Sequence, residues 1–432
     1  MTPTARLAAS IDLLAAMKAA PRKPADAIAN NFFRERRYVG GGDRRAISSL
    51  VWDVMRGWRR LTWWIEQGGL KATPRMLVGA RLLFDATPMT NLAAMYAEGR
   101  FAAGALIGRE QACLSALVGK TLDDPAMPRA VRLEVPDWLL PRLEETFGEN
   151  LEEELHALST PAPLDLRVNI LRATRAEVRT ALSREGFHAE ETSLSPWGLR
   201  LEERLPIMGS VPFKDGRVEI QDEGSQLVAA MTGAGPNMRV LDYCAGAGGK
   251  TLAMAMMMEN RGHVVACDVS EPRLEGAVKR LRRAGVHNVE RHLLSAGDKW
   301  AKRRAGSFDR VLVDAPCSGT GTWRRNPDAR VRTTQIDLEE LLEKQAAILD
   351  TASALVRPGG RLIYATCSLL KAENTDQVNQ FLARHPDFRL VAAESDALPA
   401  SLRHESMISL TPARHGTDGF FAAVMERAAP EA

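Results

Sequence analysis

Two cysteines, Cys317 in Asp314-Ala315-Pro316-Cys317-Ser318-Gly319 and Cys367 in Ala365-Thr366-Cys367-Ser368, each follow an apolar run of strand character. A thiolate is the strongest side-chain nucleophile near neutral pH, so two thiols at strand ends can attack an electron-poor ring and assist its release. Upstream, Val240 to Thr251 runs from a strand pattern through Cys244-Ala245-Gly246-Ala247-Gly248-Gly249-Lys250 into a helix. Glycines there let the backbone approach a ligand, and the helix start offers unpaired N–H groups. Asp268, 20 residues after Gly248 at the end of the next strand-like run, stands where a carboxylate accepts hydrogen bonds from ribose hydroxyls. A covalent nucleophile beside a nucleoside cofactor is the combination that methylation of a pyrimidine at C5 requires. A rival reading is a nucleotide-hydrolysing P-loop, since Gly249-Lys250-Thr251 ends like one and Asp314 could hold magnesium. That motif requires a glycine where Cys244 stands, and it gives the two thiols no task.

Elements that could position these residues follow from the apolar periodicity. From Met238 onward strand and helix signals alternate. Strands are predicted at 239–243, 263–267, 289–293, 309–313, 361–365 and 388–391, with helices such as 271–284 and 336–356 between them. The pattern predicts an α/β, Rossmann-like domain on a mostly parallel seven-stranded sheet. Its last strand, 419–425, is expected to insert antiparallel. The first third is helical throughout. In 43–66, Ile47, Leu50, Val51, Val54, Trp58, Leu61 and Ile65 recur at helical spacing and arginines fill the intervening positions, with Asp43 as the expected N-cap after Gly40-Gly41-Gly42. Between them, strands at 164–168 and 217–220 around a helix at 175–185 predict a small α+β module. The domain boundaries expected are 1–133, 134–234 and 235–432.

Composition bounds the class. The chain has 432 residues, 45% of them apolar and 26% charged, and no run matches a membrane span or a signal peptide, so a cytoplasmic protein without membrane contact is expected. Five cysteines without a C-x-x-C pair argue against a zinc site and against a disulfide framework, and no metal is expected. Cys113, Cys244 and Cys267 read as packing thiols. The net charge of +3 conceals two basic stretches: residues 1–70 carry 12 Lys+Arg against 6 Asp+Glu, and residues 299–332 carry 9 against 3. A polyanion would be drawn to both.

The segments 244–250, Asp314 to Gly321, Arg324-Arg325-Asn326-Pro327-Asp328 and Thr366-Cys367-Ser368 with Glu373-Asn374 resemble the Sun/Nop2-type RNA cytosine-5 methyltransferases, which use S-adenosylmethionine. Leu166-Arg167-Val168-Asn169 and Gln221 to Gln226 resemble that family's RNA-binding module and its junction, and Asp418 to Phe421 its closing strand. The helical first third is similar to the NusB-like RNA-binding domain of the RsmB branch, which methylates small-subunit rRNA.

This resemblance implies that Cys367 attacks C6 of cytosine, that Cys317 assists elimination, and that Asp314 and Lys250 complete the catalytic set. It implies a cofactor site of Cys244, Ala245, Gly246, Ala247, Gly248, Gly249, Lys250, Asp268, Ser295 and Asp314. RNA contacts are expected from Arg167, Asn169, Arg324, Arg325, Arg330 and Arg332, with Trp300 or Trp323 as stacking candidates. Ala247 replaces the family's usual proline, and Ser295 replaces a carboxylate that Asp298, three residues on, could supply. The substrate implied is 16S rRNA and the protein a monomer. A tRNA substrate, or a non-catalytic RNA-binding assembly factor, are the alternatives.

Overall fold

The computed structural model describes residues 1–201, 205–295 and 297–429. Two compact units result: Met1–Thr160 with Trp323–Gln335, and Pro161–Thr322 with Ile336–Ala432.

The first unit is helical. Pro3–Ala19, Ala25–Glu35, Gly41–Arg56, Trp58–Gln67 and Pro74–Phe84 enclose a core that includes Leu13, Leu14, Ile47, Val51, Leu61 and Leu77. The single helix expected over 43–66 is two helices, because Gly57 adopts φ −107°, ψ 21° and ends one before starting the other. Asp43 is not the N-cap, since Gly40 takes that place. The Asp43 carboxylate instead binds the Met1 ammonium at 2.9 Å and Arg6 at 3.3 Å, from the first turn where the helix dipole favours negative charge. The segment 323–335 is built into this unit. Asp328 Oδ2 accepts the Ala25 N–H at 3.1 Å, and the Trp52 indole donates to the Arg325 carbonyl at 3.4 Å.

In the second unit, β1 (Leu164–Val168), β2 (Glu190–Glu191), β3 (Gly198–Leu201) and β4 (Val218–Ile220) form an antiparallel sheet in the order β2-β3-β1-β4. Two of these strands, β1 and β4, were expected; β2 and β3 were not. Its helix Arg175–Arg184 opens with a capping box between Thr174 and Glu177.

The larger sheet has eight strands among the described residues: β5 (Arg239–Asp242), β6 (His263–Asp268), β7 (Val289–Leu293), β8 (Phe308–Asp314), β9 (Val356–Thr366), β10 (Phe388–Leu390), β11 (Met407–Leu410) and β12 (Phe420–Arg427). The order is β10-β12-β9-β8-β5-β6-β7. β5 to β9 are parallel, and β12 is antiparallel to β9. The seven expected strands are present. The eighth, β11, pairs with β12 on the edge it shares with β10 and lies in a stretch with no clear periodicity. Strand order reverses between β5 and β8, and that reversal opens a crevice beyond their C-terminal ends. In the β8–β9 register Asp314 lies opposite Ala365, so the loops carrying Cys317 and Cys367 leave the sheet side by side.

The loop after Cys317 reaches back to the start of β12. Gly419 N–H donates to the Gly321 carbonyl at 2.8 Å, and Gly321 N–H donates to the Cys367 carbonyl at 3.0 Å. A Cβ on Gly321 would stand 2.2 Å from the Gly419 carbonyl oxygen, so no larger residue fits. Gly321→Ala is expected to destabilise the chain by ~1–3 kcal/mol through overpacking, read as a lower urea midpoint with unchanged m-value.

Candidate active site

Two loops supply the thiols, and one carboxylate holds both loops. Cys317 Sγ and Cys367 Sγ are 3.4 Å apart. Ser318, which follows Cys317, donates to Glu373 through its N–H (Oε1, 2.8 Å) and its hydroxyl (Oε2, 2.5 Å). Ser368, which follows Cys367, donates its hydroxyl to the same Oε2, and Gln345 Nε2 donates to Oε1 at 3.0 Å. Glu373 is fully buried and satisfied entirely by neutral donors. Thr320 Oγ1 accepts the Leu369 N–H at 2.8 Å, and Asn374 joins Thr366 Oγ1 to the Ser368 carbonyl. The Glu373-Asn374 pair was visible as a motif, but nothing in its spacing shows that it clamps both loops.

The charges around the thiols are arranged unequally. Lys250 Nζ lies 2.6 Å from Asp314 Oδ2. Burial works against the ammonium, but Asp314 outweighs it, and Lys250 titrates above its ordinary range. The hydrogen bond to Cys367 pushes the Cys317 thiol well up, burial adds to that, and the charges of Cys367 and Glu373 act in the same direction. Cys317 therefore holds its proton more tightly than an ordinary thiol.

The glycine turn sits where expected. Gly248 (φ 77°) is the left-handed residue that starts the helix Gly249–Met257, and Gly246 (φ 54°) has open space where a Cβ would stand. Cys244 lies beneath the turn, where burial pushes its thiol up, and Ala245 N–H donates to the Cys267 carbonyl at 2.8 Å. Ala247 is exposed, and its carbonyl accepts from Arg280 at 2.8 Å. Asp268 Oδ2 accepts the Gly246 N–H and Oδ1 the Ser270 N–H, both at 2.8 Å, and each oxygen retains a lone pair. Ser295 is exposed beyond β7. Asp298 is engaged elsewhere, pairing with His292 at 2.6 Å and accepting the Trp300 N–H at 2.8 Å.

Asp242, which the motif reading passed over, ends β5. Its Oδ2 accepts the Thr251 hydroxyl at 2.6 Å, while the buried Oδ1 has no hydrogen-bond partner. Burial pushes this carboxyl up to about 7.

Several residues expected at RNA are placed differently. Arg167 is buried, donates to the Gly249 carbonyl at 2.8 Å and to Gln221, and burial lowers it to about 10. Asn169 is buried and donates to the carbonyls of Gly216 and Ala284, both at 2.9 Å. Both residues brace the small module against the cofactor turn and the helix Glu271–Ala284. Trp323 is buried with the Arg330 guanidinium 4.7 Å over its ring, and Arg330 donates to Ser159 Oγ at 3.0 Å. Arg324 is buried as well, and Arg332 pairs with Asp328 at 3.4 Å. Arg325 alone of the arginines at 324, 325 and 330 is half-buried rather than buried. Trp300 is buried against His292. The Trp323 ring and Ser159 hydroxyl hold Arg330 and the Asp328 carboxylate holds Arg332, so this part of the basic stretch of 299–332 offers RNA less than its charge implies.

Two expected outcomes test this geometry. Glu373→Gln puts an amide where four donors converge; methyl transfer should fall at least ~10-fold and stability by ~1–3 kcal/mol, with cofactor binding measured by calorimetry retained. The raised Asp242 value means the unfolded chain loses its proton first as pH rises. Stability from this group is full below about pH 4 and is lost toward pH 7. Asp242→Asn keeps an acceptor for Thr251 and should flatten the wild-type decline in unfolding free energy over that window, by an amount on the order of a few kcal/mol, read from urea titrations at each pH.

A family model for 16S rRNA methyltransferase RsmB/F matches residues 231–426, and one for the ferredoxin-like domain of RsmF/B-like methyltransferases matches 135–208. The probable ribosomal RNA small subunit methyltransferase B of Bacillus subtilis is 33% identical over 71% of this chain and 69% of its own length. The ribosomal RNA small subunit methyltransferase B of Serratia proteamaculans is 30% identical over 89% and 91%. Among solved structures, PH0851 matches with TM-score 0.78 at 25% identity over 99% of each chain. A methyltransferase homologue from Pyrococcus horikoshii matches with TM-score 0.59 at 28% identity over 71% of this chain and all of its own. With paired thiols, glycine turn and reversed sheet order all in place, the chain belongs to the RsmB/F family of 16S rRNA methyltransferases.

Proposed function

We propose that this protein is an S-adenosylmethionine-dependent RNA cytosine-5 methyltransferase acting on 16S rRNA. The observation that carries the reading is the 3.4 Å separation of Cys317 and Cys367 beside the crevice of β5 and β8. The names of its relatives support the rRNA substrate. The helical first unit is read as the NusB-like RNA-binding part.

The residues present fit the cofactor. The open space at Gly246, the free lone pairs of Asp268 and the orphaned Asp242 Oδ1 all lie on the turn after β5 or the strand ends around it. Cys244 to Lys250, with Asp268 and Asp314, would hold it, and Ser295 would line the far edge. When bound, S-adenosylmethionine supplies a methyl electrophile.

The chain's own residues do the rest. Cys367, as the thiolate, adds its sulfur to C6 of cytosine and makes C5 electron-rich. Asp314, held by Lys250, accepts from the N4 amino group and orients the ring. Once Cys367 is bonded to carbon, the hydrogen bond and the charge that hold the proton on Cys317 are both gone. Cys317 then gives its own proton to solvent, and the resulting thiolate removes the C5 proton as the C6–S bond breaks to release Cys367 as a thiolate. The target base must leave its stack to reach the thiols, at a cost of a few kcal/mol.

Transfer of labelled methyl to unmodified 16S rRNA tests this scheme. Wild type should yield 5-methylcytosine. Cys367→Ala should yield none, and Cys317→Ala should accumulate a protein–RNA adduct on denaturing gels. Methyl recovered on a ring nitrogen or a ribose oxygen would overturn the two-thiol scheme.

A further inference from the structure

The helices Ala25–Glu35 and Gly41–Arg56 enclose a concavity of about 510 Å³ with Phe33 among its lining residues. Arg34, Arg37, Arg44 and Arg45 line it and all four are exposed. Arg34 donates to Asn31, and Arg44 Nε donates to the Val39 carbonyl at 2.9 Å, which aims two of the guanidinium groups. The side chains of Arg37 and Arg45 have no hydrogen bond or ion pair among the described residues.

Residues 30–48 hold five arginines and two acids, and both acids are engaged elsewhere. Asp43 is taken by the Met1 ammonium and Arg6, and Glu35 by Asn31 and Arg36. No carboxylate therefore offsets the quartet. Tyr38, next to Arg37 in the turn between the helices, is 73% exposed. Four guanidinium groups, on two helices and the turn between them, exceed what one small anion can satisfy, and an exposed ring beside them suits a base. That pairing of charge with a stacking platform is how an RNA strand is held.

We propose that this groove binds the phosphate backbone of the RNA substrate, with Arg37 and Arg45 on successive phosphates and Tyr38 stacked on an unpaired base. The inference rests on the proposed RNA substrate and adds a second contact surface, on a different unit from the thiols. It also accounts for recognition where the buried Arg324 and Arg330 do not.

The test compares the full chain with Arg37→Gln/Arg45→Gln, Tyr38→Ala, and Arg109→Gln, an exposed arginine outside the groove. Binding to unmodified 16S rRNA is followed across a salt series, alongside methyl transfer. The double variant should bind roughly 10-fold more weakly at about 0.1 M salt, with a log–log salt slope shallower by about 1.5. Its KM for RNA should rise while kcat at saturating RNA holds. Tyr38→Ala should lose about 5-fold or more, and Arg109→Gln should match wild type. An unchanged slope in the double variant overturns the groove even if wild type methylates rRNA. A defect confined to protein-containing ribosomal particles would assign the groove to a protein and overturn it too. Wild type that neither binds nor methylates rRNA would remove the substrate reading and the groove with it.

Discussion

A carboxylate buried without a cation is the constraint around which the catalytic half of this chain is organised. Glu373 must find neutral donors or forfeit several kcal/mol, and the donors it finds come from the residues immediately after the two cysteines and from Gln345. Neither loop can move without leaving a buried oxygen short of a partner. The β8–β9 register brings the loops together, and Glu373 fixes the distance between them. A thiol pair at 3.4 Å is the product of both.

Polar cost is concentrated in the same place. Lys250 and Asp314 form a close pair with the lysine nearly excluded from water, and Asp242 sits behind them with one oxygen unpartnered. Such groups favour the fold little by themselves. What they confer is asymmetry: a fixed cation on one side of the crevice, and on the other a thiol, Cys317, whose proton is held tightly. The small module contributes from outside the crevice, since Arg167 grips the carbonyl of Gly249 and Asn169 that of Ala284. The turn that approaches the cofactor is thus held by a different sheet from the one that carries it.

Much of this was legible in the sequence because it is local. The strand-turn-helix at 239–251, the succession of strands and helices along the chain and the two thiols after apolar runs are short-range patterns, and the helix Glu271–Ala284 has the predicted limits. Failures arose where a distant partner decides the outcome. Gly57 divides a helix whose apolar spacing is continuous, and Asp43 leaves its capping place for the chain's own ammonium. β2 and β11 exist through the edges they pair with rather than through their residues. Glu373 offers no periodicity or spacing from which its four donors could be inferred.

Charge is the property that transferred least faithfully from sequence to structure, and the reason is physical. A guanidinium group is counted as +1 wherever it stands, but it attracts a polyanion only where water reaches it and no carboxylate answers it. Arg330 fails the first condition, since burial over Trp323 lowers it to about 10, and Arg332 fails the second beside Asp328. The part of the 299–332 stretch built into the helical unit, from Trp323 on, thereby commits Arg330 and Arg332 to internal contacts. In the N-terminal stretch, Arg56, Arg59 and Arg60 are likewise answered by carboxylates, but Arg34, Arg37, Arg44 and Arg45 stay exposed while Asp43 and Glu35 engage Met1, Arg6 and Arg36. What distinguishes the two stretches is where their carboxylates and aromatic rings went, so a basic run indicates a binding surface only after its internal partners have been subtracted.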